Sequence, residues 1–181
     1  MSGSVRVARL ADADAIQRIY APSVENAATS FEDRPPSVRE MEERIRRTLK
    51  THPWLVWTKD DVIGGYAYGA PHRLRSAYRW SAEVSVYVAK NAQRQGVAKT
   101  LYAKLFQLLR RQHVQRLFAG VTLPNPASVR LHESFGFASV GVYPRVGFKL
   151  GRWHDVGWWS FDLGAAETPE EFVPFAELAC P

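Results

Sequence analysis

The sequence predicts an α+β (α/β) fold, in which one mixed, mostly antiparallel central sheet is flanked by helices in a single domain. Three observations support this prediction. The chain has 181 residues, enough for a sizeable core without disulfides. Apolar residues make up 46% of it, as in globular proteins. Segments with strand and helix periodicity follow one another in the order β-α-α-β-β-β-α-β-α-β-β, which is typical of helices packed on a mixed sheet.

The first half of the chain is predicted to contain two helices and four strands. Asp12 is a capping residue, and apolar side chains recur behind it at helical spacing. Ser37 and Glu40 form a capping box at the start of the second helix. The predicted elements are a strand at 5–10, a helix from 12 to 24, a loop with Phe31, a helix at 38–49, a hairpin of strands at 54–58 and 62–68, an irregular segment at 72–80 and a strand at 82–89.

The clearest strand and the clearest helix lie on either side of residue 93. Valines at 84, 86 and 88 alternate with Glu83, Ser85 and Tyr87, which is strand periodicity. Residues 97–112 carry an apolar stripe at helical spacing. Asn125 can cap a further helix that Gly136 ends. Strands are also predicted at 117–122, 137–143 and 155–163, followed by a tail at 165–181 that either packs as an extended arm or stays loose.

Composition and charge argue against several classes of function. The net charge is +6, but the cations are dispersed, so we expect a solvated surface and no nucleic-acid partner. No apolar run reaches membrane-spanning length and no signal-peptide layout is visible, so we expect a cytoplasmic protein without a membrane partner. The single cysteine, Cys180, cannot form an internal disulfide and is a poor candidate for a nucleophile or metal ligand. We expect no metal site.

The junction between the strand at 82–89 and the helix at 97–112 has the features of an anion-binding loop. Residues 93–98 read Gln-Arg-Gln-Gly-Val-Ala and lead into a helix N-terminus, whose free N–H groups carry a partial positive charge. Gly96 and Ala98 would let the backbone approach a phosphate closely, with Arg94 and Lys99 at the rim. The same residues fit an ordinary strand-to-helix turn that requires one glycine, because the loop has neither a P-loop nor a dinucleotide fingerprint.

Two motifs resemble those of the GNAT family of N-acetyltransferases. Gln93-x-x-Gly96-x-Ala98 is similar to the acetyl-CoA loop of that family. The segment 125–137, in the pattern Asn-x-x-Ser-x-x-x-His-x-x-x-Gly-Phe, is similar to its second motif, with the spacing intact and His132 where many members carry Tyr. The resemblance implies a GNAT-type fold and acetyl-CoA as the cofactor.

A closer resemblance is to the phosphinothricin N-acetyltransferase subgroup, which acetylates the amino group of a small amino-acid analogue. It is carried by Arg75-Ser-Ala-Tyr78, by Glu83 and Tyr87, by Leu-His-Glu at 131–133 and by Gly-Arg-Trp-His-Asp-Val-Gly at 151–157. The likeness extends from about residue 5 to about residue 163. It therefore implies an N-acetyltransferase domain at 1–164 and a C-terminal tail at 165–181, and relatives imply a homodimer.

Glu83 and His132 are the predicted catalytic residues. Strand alternation places Glu83 on the face opposite Val84 and Val86, and the resemblance implies that it is the general base, directly or through one water. The resemblance places His132 beside the cofactor sulfur, where it could protonate the leaving thiolate or hold a water or Glu83. Without the resemblance, Glu83 fits a half-exposed surface glutamate and His132 a packed helix residue.

The remaining candidates divide between the cofactor and the acceptor. The resemblance implies that the pantetheine arm pairs with the strand backbone at 86–88, as an added strand would. The predicted cofactor-binding residues are Val86, Tyr87, Val88, Arg94, Gln95, Gly96, Val97, Ala98, Lys99 and Asn125. For the acceptor, an arginine offers a planar fork that suits carboxylate or phosphinate oxygens. The predicted acceptor-binding residues are Phe31, Arg75, Tyr78, Tyr87 and Val156.

The sequence therefore predicts an acetyl-CoA-dependent N-acetyltransferase for a small acidic amino acid or analogue, such as phosphinothricin or methionine sulfoximine or sulfone. We expect direct transfer in a ternary complex, because no cysteine stands near the predicted site. The acidic loop at 31–33 keeps another acceptor open, such as a protein N-terminus, a polyamine or an aminoglycoside. A non-catalytic acyl-CoA-binding protein on the same fold is a further alternative.

Overall fold

The structure is a computed structural model that describes residues 3–164 and 166–178. In the predicted tail, residue 165 and residues 179–181, which include Cys180, lie outside the described residues. The strands are β1 (Ser4–Val7), β2 (Trp54–Lys59), β3 (Val62–Pro71), β4 (Ser81–Val88), β5 (Arg116–Thr122), β6 (Ala138–Lys149) and β7 (Arg152–Asp162). The α-helices are α1 (Ala13–Glu25), α2 (Val38–Thr51), α3 (Val97–Arg111) and α4 (Pro126–Glu133).

The strands form one sheet in the order β1-β2-β3-β4-β5-β7-β6. The pair β4 and β5 is parallel, and the other neighbouring pairs are antiparallel. The predicted order of elements and the predicted mostly antiparallel sheet are confirmed. This pair lies in the middle of the sheet. It is parallel because α3 carries the chain from the end of β4 back to the start of β5.

Helices cover both faces of the sheet, and each face has its own core. On one face, α3 buries Leu101, Leu105 and Leu109 against the sheet, where Ala82 and Val84 of β4 meet them. On the other face lie α1 and α2, whose buried residues include Ile16, Met41 and Ile45. Side chains alternate along a strand, so Glu83, Ser85 and Tyr87 belong to the α1 and α2 face.

Two of the three predicted helix caps are confirmed, and the third is wrong. The Oγ of Ser37 accepts the Glu40 N–H at 3.2 Å, and Asn125 Oδ1 accepts the Ser128 N–H at 3.1 Å. Asp12 was expected to cap α1, but its side chain makes no capping bond to that helix. Its carboxylate instead binds the guanidinium of Arg6 at 2.7 and 2.8 Å. The same carboxylate also accepts the N–H of Arg9 at 2.7 Å. Asp12 ends a 3₁₀ turn and has helical dihedrals, φ −80° and ψ −10°, whereas a side chain that caps a helix usually belongs to an extended residue.

Strands β6 and β7 are longer than the sequence predicted. Residues 138–149 and 152–162 form a long hairpin, whereas strands were expected at 137–143 and 155–163. The pairing register shifts between Tyr143 and Gly147, next to Pro144. Proline is tolerated in a strand at the edge of a sheet, and β6 is an edge strand. Because the register shifts there, the residues after Tyr143 do not keep the alternation that predicts a strand.

Residues 166–178 pack against the domain as an extended arm, which was one of the two alternatives for the tail. Gln112 Nε2 donates to the Val173 carbonyl at 2.8 Å, and Trp80 Nε1 donates to the Glu170 carbonyl at 2.7 Å. Phe172 packs against the α3 side of the core. In the part of the chain that the structure describes, no helix combines the length and the apolar character required to cross a bilayer.

Candidate active site

A gap opens in the middle of the sheet, between β4 and β5. The two strands pair only where residues 81–83 lie beside residues 116–118. Beyond Glu83, β4 continues along β3 to Val88, while β5 continues along β7 to Thr122. Within the described residues, the β5-facing edge of β4 therefore has no strand partner after Glu83.

The backbone groups of Val86 and Val88 point into this gap. In an antiparallel pair, alternate residues exchange hydrogen bonds with the partner strand, and the residues between them point the other way. The N–H of Ala89 donates to the Gly64 carbonyl at 2.9 Å, in the same register as the β3–β4 ladder. Odd-numbered residues of β4 therefore bond to β3, and even-numbered residues face the gap. An extended ligand could pair there as a further strand would.

The loop before α3 presents free amide groups at one end of the gap. Arg94 and Gly96 are left-handed, with φ values of 61° and 81°. Gly96 is the N-cap of α3 and has no capping side chain. The N–H of Thr100 donates to the Gly96 carbonyl at 3.0 Å, so the N–H groups of residues 97–99 have no partner in the preceding turn of the helix. A Cβ added at Gly96 would meet no atom within 4 Å, so a ligand can approach this backbone closely.

These groups line a cavity of about 690 Å³ between the loop, the edge of β4 and α4. Its lining contains two cations, Arg94 and Lys99, and no carboxylate. This lining suits the diphosphate of a coenzyme A molecule. The predicted cofactor residue Gln95 is in the lining of neither this cavity nor the one beside it. Its side chain donates to the Asn91 carbonyl at 2.8 Å. The predicted cofactor residues in this lining are Val86, Val88, Arg94, Gly96, Val97, Ala98 and Lys99.

A second cavity of about 240 Å³ adjoins the first and crosses the sheet through the gap. Both cavities are lined by Val86, Val88, Gln93 and Ser128. The wall of the second cavity includes Val84 from one face of the sheet and Ser85 from the other. Three further predicted residues lie in its lining, namely Tyr87, Asn125 and His132. The structure thus brings most predicted cofactor residues and one predicted catalytic residue into one continuous cleft.

His132 is buried in this wall, and both of its ring nitrogens have partners. Nδ1 lies 2.8 Å from the Ser128 carbonyl, and Nε2 lies 3.1 Å from the Tyr102 hydroxyl. A carbonyl only accepts, so Nδ1 carries the proton and Nε2 accepts the hydroxyl proton of Tyr102. Burial lowers the pKa of His132, although the hydrogen bond to Ser128 opposes this effect, so the ring is neutral at neutral pH. Its Nε2 is therefore placed to orient the Tyr102 hydroxyl.

Glu83 lies where the gap begins, on the opposite face of the sheet from His132. Its Oε1 accepts hydrogen bonds from His72 Nδ1 at 3.0 Å and from Arg73 Nη1 at 3.2 Å. Its Oε2 has no hydrogen-bond partner among the described residues, and one third of the side chain is exposed. No hydrogen bond joins Glu83 and His132 in the described part of the chain, and the two predicted catalytic residues lie on opposite sides of the gap.

The predicted acceptor residues come from separate segments on the Glu83 side. Arg75 and Tyr78 are exposed in the turn between β3 and β4. Val156 is half-buried on β7, and Phe31 lies in the loop after α1. Tyr87 packs deeper, with its ring 5.1 Å from those of both Tyr20 and Tyr66.

The β6–β7 hairpin is fastened to the loop that carries Phe31. A Cβ added at Gly147 would lie 2.4 Å from the Phe31 ring, so the glycine allows the ring to sit on the hairpin. Lys149, the last residue of β6, makes a second attachment. Its Nζ donates to the carbonyls of Val24, Ser30 and Glu32 at 2.6, 2.7 and 2.9 Å. Lys149 therefore holds the loop in place.

Sequence reasoning missed two residues of the site, His72 and Tyr102. Tyr102 precedes Phe106 and Leu109 by one and two helical turns, so the apolar stripe of α3 contained a signal for its burial. His72 lies in a segment without periodicity, and the sequence around it does not indicate that its side chain contacts Glu83. Only the pairing of β3 with β4 brings the two side chains together.

Comparisons with known proteins agree with this geometry. Residues 5–158 match a family described as the acetyltransferase (GNAT) domain. Phosphinothricin N-acetyltransferase of Streptomyces viridochromogenes is 34% identical over 174 residues, which are 96% of this chain and 95% of the relative. The L-methionine sulfoximine/L-methionine sulfone acetyltransferase of Salmonella typhimurium is 33% identical over 171 residues, 92% of this chain and 98% of the relative.

A solved structure supports the same assignment. The crystal structure of a GNAT superfamily phosphinothricin acetyltransferase from Sinorhizobium meliloti, in complex with acetyl-CoA, is 31% identical. It superposes with a TM-score of 0.91 and covers 99% of this chain and 100% of its own.

The chain therefore belongs to the GNAT family of acetyltransferases. The predicted family, fold class and enzyme class, an N-acetyltransferase, are confirmed. Acetyl-CoA is the cofactor of this family, which confirms the cofactor prediction. The continuous cleft, with its open amides and its two cations, fits that molecule. The roles of individual residues stay predictions.

Proposed function

We propose that the protein uses acetyl-CoA to acetylate the amino group of a small acidic amino acid or analogue, of the phosphinothricin and methionine sulfoximine or sulfone type. One observation carries the proposal: Glu83, a carboxylate with a free oxygen, lies at the mouth of the cofactor gap beside a turn with two arginines, Arg73 and Arg75. An amine requires a base, and an acidic acceptor requires cations. The names of the two curated relatives support the same acceptor class.

Transfer is direct, in a ternary complex. Acetyl-CoA supplies a thioester carbon that an amine can attack. Glu83 would take one proton from the acceptor ammonium group, and the N–H of Val86, which faces the gap, would polarise the thioester oxygen. The amine nitrogen would form a bond to the acetyl carbon as the C–S bond breaks, and its second proton would go to the released thiolate. Tyr102, oriented by His132, lines the cavity that receives the leaving sulfur. This route forms no covalent acetyl-enzyme, because the acceptor amine attacks the thioester directly.

The charges around the acceptor side favour an acidic acceptor over a polycation. Glu32 lies in the acidic loop at 31–33, which suggested a polyamine or an aminoglycoside as an alternative acceptor. Its carboxylate forms a bidentate pair with Arg44, with both hydrogen bonds 2.7 Å long. The Tyr20 hydroxyl donates to the same carboxylate at 2.6 Å. The charge of Glu32 is thereby neutralised, whereas the side chain of Arg75 has no ion pair among the described residues.

A thiol-release assay tests the acceptor class. Acetyl-CoA is offered with phosphinothricin, methionine sulfoximine, methionine sulfone, the common amino acids, spermidine, an aminoglycoside and an N-terminal peptide. We expect the highest kcat/KM with the acidic analogues. A higher kcat/KM with spermidine, the aminoglycoside or the peptide would contradict the proposed acceptor class and indicate that compound instead. Binding of acetyl-CoA without turnover on any amine would support the non-catalytic alternative.

Acetylation of phosphinothricin would also be visible in cells. We propose that cytoplasmic expression in a phosphinothricin-sensitive bacterium confers resistance to this herbicide. The Glu83→Gln variant, expressed at the same level, should leave the host sensitive. Equal growth of the two strains would contradict the proposed acceptor.

The β6–β7 hairpin is the surface that we propose for a homodimer. Strand β6 is an edge strand, and an edge with apolar side chains favours association. Light scattering should give the mass of two chains, and a Val146→Glu/Phe148→Glu variant the mass of one. The large apolar residues exposed on this hairpin are Val140, Val142, Tyr143, Val146, Phe148, Leu150 and Trp153.

A further inference from the structure

His72 is attached to the carboxylate that we propose as the base. Its Nδ1 lies 3.0 Å from Glu83 Oε1, and only 13% of its side chain is exposed. A carboxylate accepts, so Nδ1 carries the proton and donates it to Glu83. Arg73 Nη1 donates to the same oxygen at 3.2 Å. Both donors converge on Oε1, and Oε2 has no partner among the described residues.

The ring of His72 is held in place by aromatic neighbours. It stacks on Phe118 with ring centroids 4.2 Å apart and an interplanar angle of 16°. The Trp158 ring is 6.0 Å away and the Tyr78 ring 6.2 Å away, both edge-on. Phe118 is the β5 residue paired with Glu83, so the stack lies where β4 and β5 begin to separate. The imidazole therefore presents a rigid donor to a carboxylate whose terminal torsion is otherwise soft.

We propose that His72 is a positioning residue for acetyl transfer. By binding Oε1, it turns Oε2 of Glu83 toward the acceptor amine and keeps that oxygen free to take the proton. This inference rests on the proposed function, because it assumes that Glu83 is the base. It adds a residue to the site that no motif of the sequence indicated.

Two substitutions separate the donor from the ring. His72→Phe keeps an aromatic ring for Phe118 and removes the donor, and it should lower kcat about tenfold or more, the effect of one hydrogen bond to a charged group. The KM for acetyl-CoA should stay within about twofold, because the cofactor lies on the other side of the gap. His72→Asn places an amide N–H near the Nδ1 position and should recover most of the lost kcat. Thermal unfolding of each variant checks that the fold is intact.

A double-mutant cycle with Glu83→Ala is the decisive measurement. If His72 acts through Glu83, the His72→Phe change should have less than about a twofold effect on the residual rate of the Glu83→Ala protein. Three results would each overturn the inference: full kcat in His72→Phe, losses that multiply in the double variant, or a His72→Asn protein as slow as His72→Phe. An inactive wild-type protein would refute the proposed function instead, so the two failures are distinguishable.

Discussion

The two sides of the gap differ in the kind of group that they offer to the proposed ligands. The cofactor side offers mainly backbone: the amides after Gly96 and the free edge of β4. The acceptor side offers side chains, among them Glu83, His72 and Arg75, that come from different segments. Backbone groups are the same for any sequence, so they suit a cofactor that a whole family shares. Side chains can differ between relatives, so we propose that they determine the acceptor.

The largest effect is expected for the proposed base on the acceptor side. Glu83→Gln should lower kcat by about 10²–10⁴-fold, the usual contribution of a general base. The Kd for acetyl-CoA, measured by calorimetry, should not change, because Glu83 is not in the lining of either cavity of the cleft. Glu43→Gln is the matched control: Glu43 is an exposed residue of α2, and the variant should keep full activity. Equal activity of the two variants would remove Glu83 from the chemistry.

A backbone change on the cofactor side should weaken cofactor binding with every acceptor. Gly96→Ala puts a Cβ where the ligand approaches and strains a residue with φ of 81°, so we expect about tenfold weaker acetyl-CoA binding. Gly151→Ala is the matched control. Its φ is 74° and an added Cβ also meets no atom within 4 Å, but it lies in the β6–β7 turn. If both variants bind acetyl-CoA equally well, the loop does not contact the diphosphate.

A side-chain change on the acceptor side should do the reverse. Arg75→Ala should raise the KM for the preferred acidic acceptor by about fivefold to tenfold, the effect of one exposed charged hydrogen bond. The KM for acetyl-CoA should be unaffected. Arg39→Ala, an exposed arginine on α2, is the control. A parallel rise in both KM values for Arg75→Ala would mean that the two sides are not separate.

The smallest effect is expected where neither side is touched. Ser37→Ala removes the cap of α2, in which Ser37 Oγ accepts the Glu40 N–H. It should lower the free energy of unfolding by about 1 kcal/mol. For a chain of this size the Tm should fall by roughly 2–4 °C. The value of kcat and both KM values should stay at the wild-type level, and a change in any of them would show that α2 reaches the site.

Local patterns in the sequence predicted the order of the elements and the type of sheet, and together with the family resemblance they gave the candidate residues of the cofactor half of the site. The reason is that these features are local: strand alternation around Val86, a glycine at a helix start and the cap at Asn125 each lie within one short segment. The predicted strand ends were wrong for β6 and β7, because Pro144 and a register shift interrupt the alternation. Asp12 makes no capping bond to α1, because its own backbone is helical and its carboxylate binds Arg6 and the N–H of Arg9.

Only the tertiary structure decided the acceptor half. His72 meets Glu83 because β3 pairs with β4, and Lys149 holds the Phe31 loop across more than a hundred residues of sequence. The resemblance offered His132 as a proton donor or as a residue that holds a water or Glu83; in the structure it is neutral, and its Nε2 accepts the hydrogen bond of Tyr102. Such contacts depend on the distance between segments in space, and a sequence pattern records only the distance along the chain.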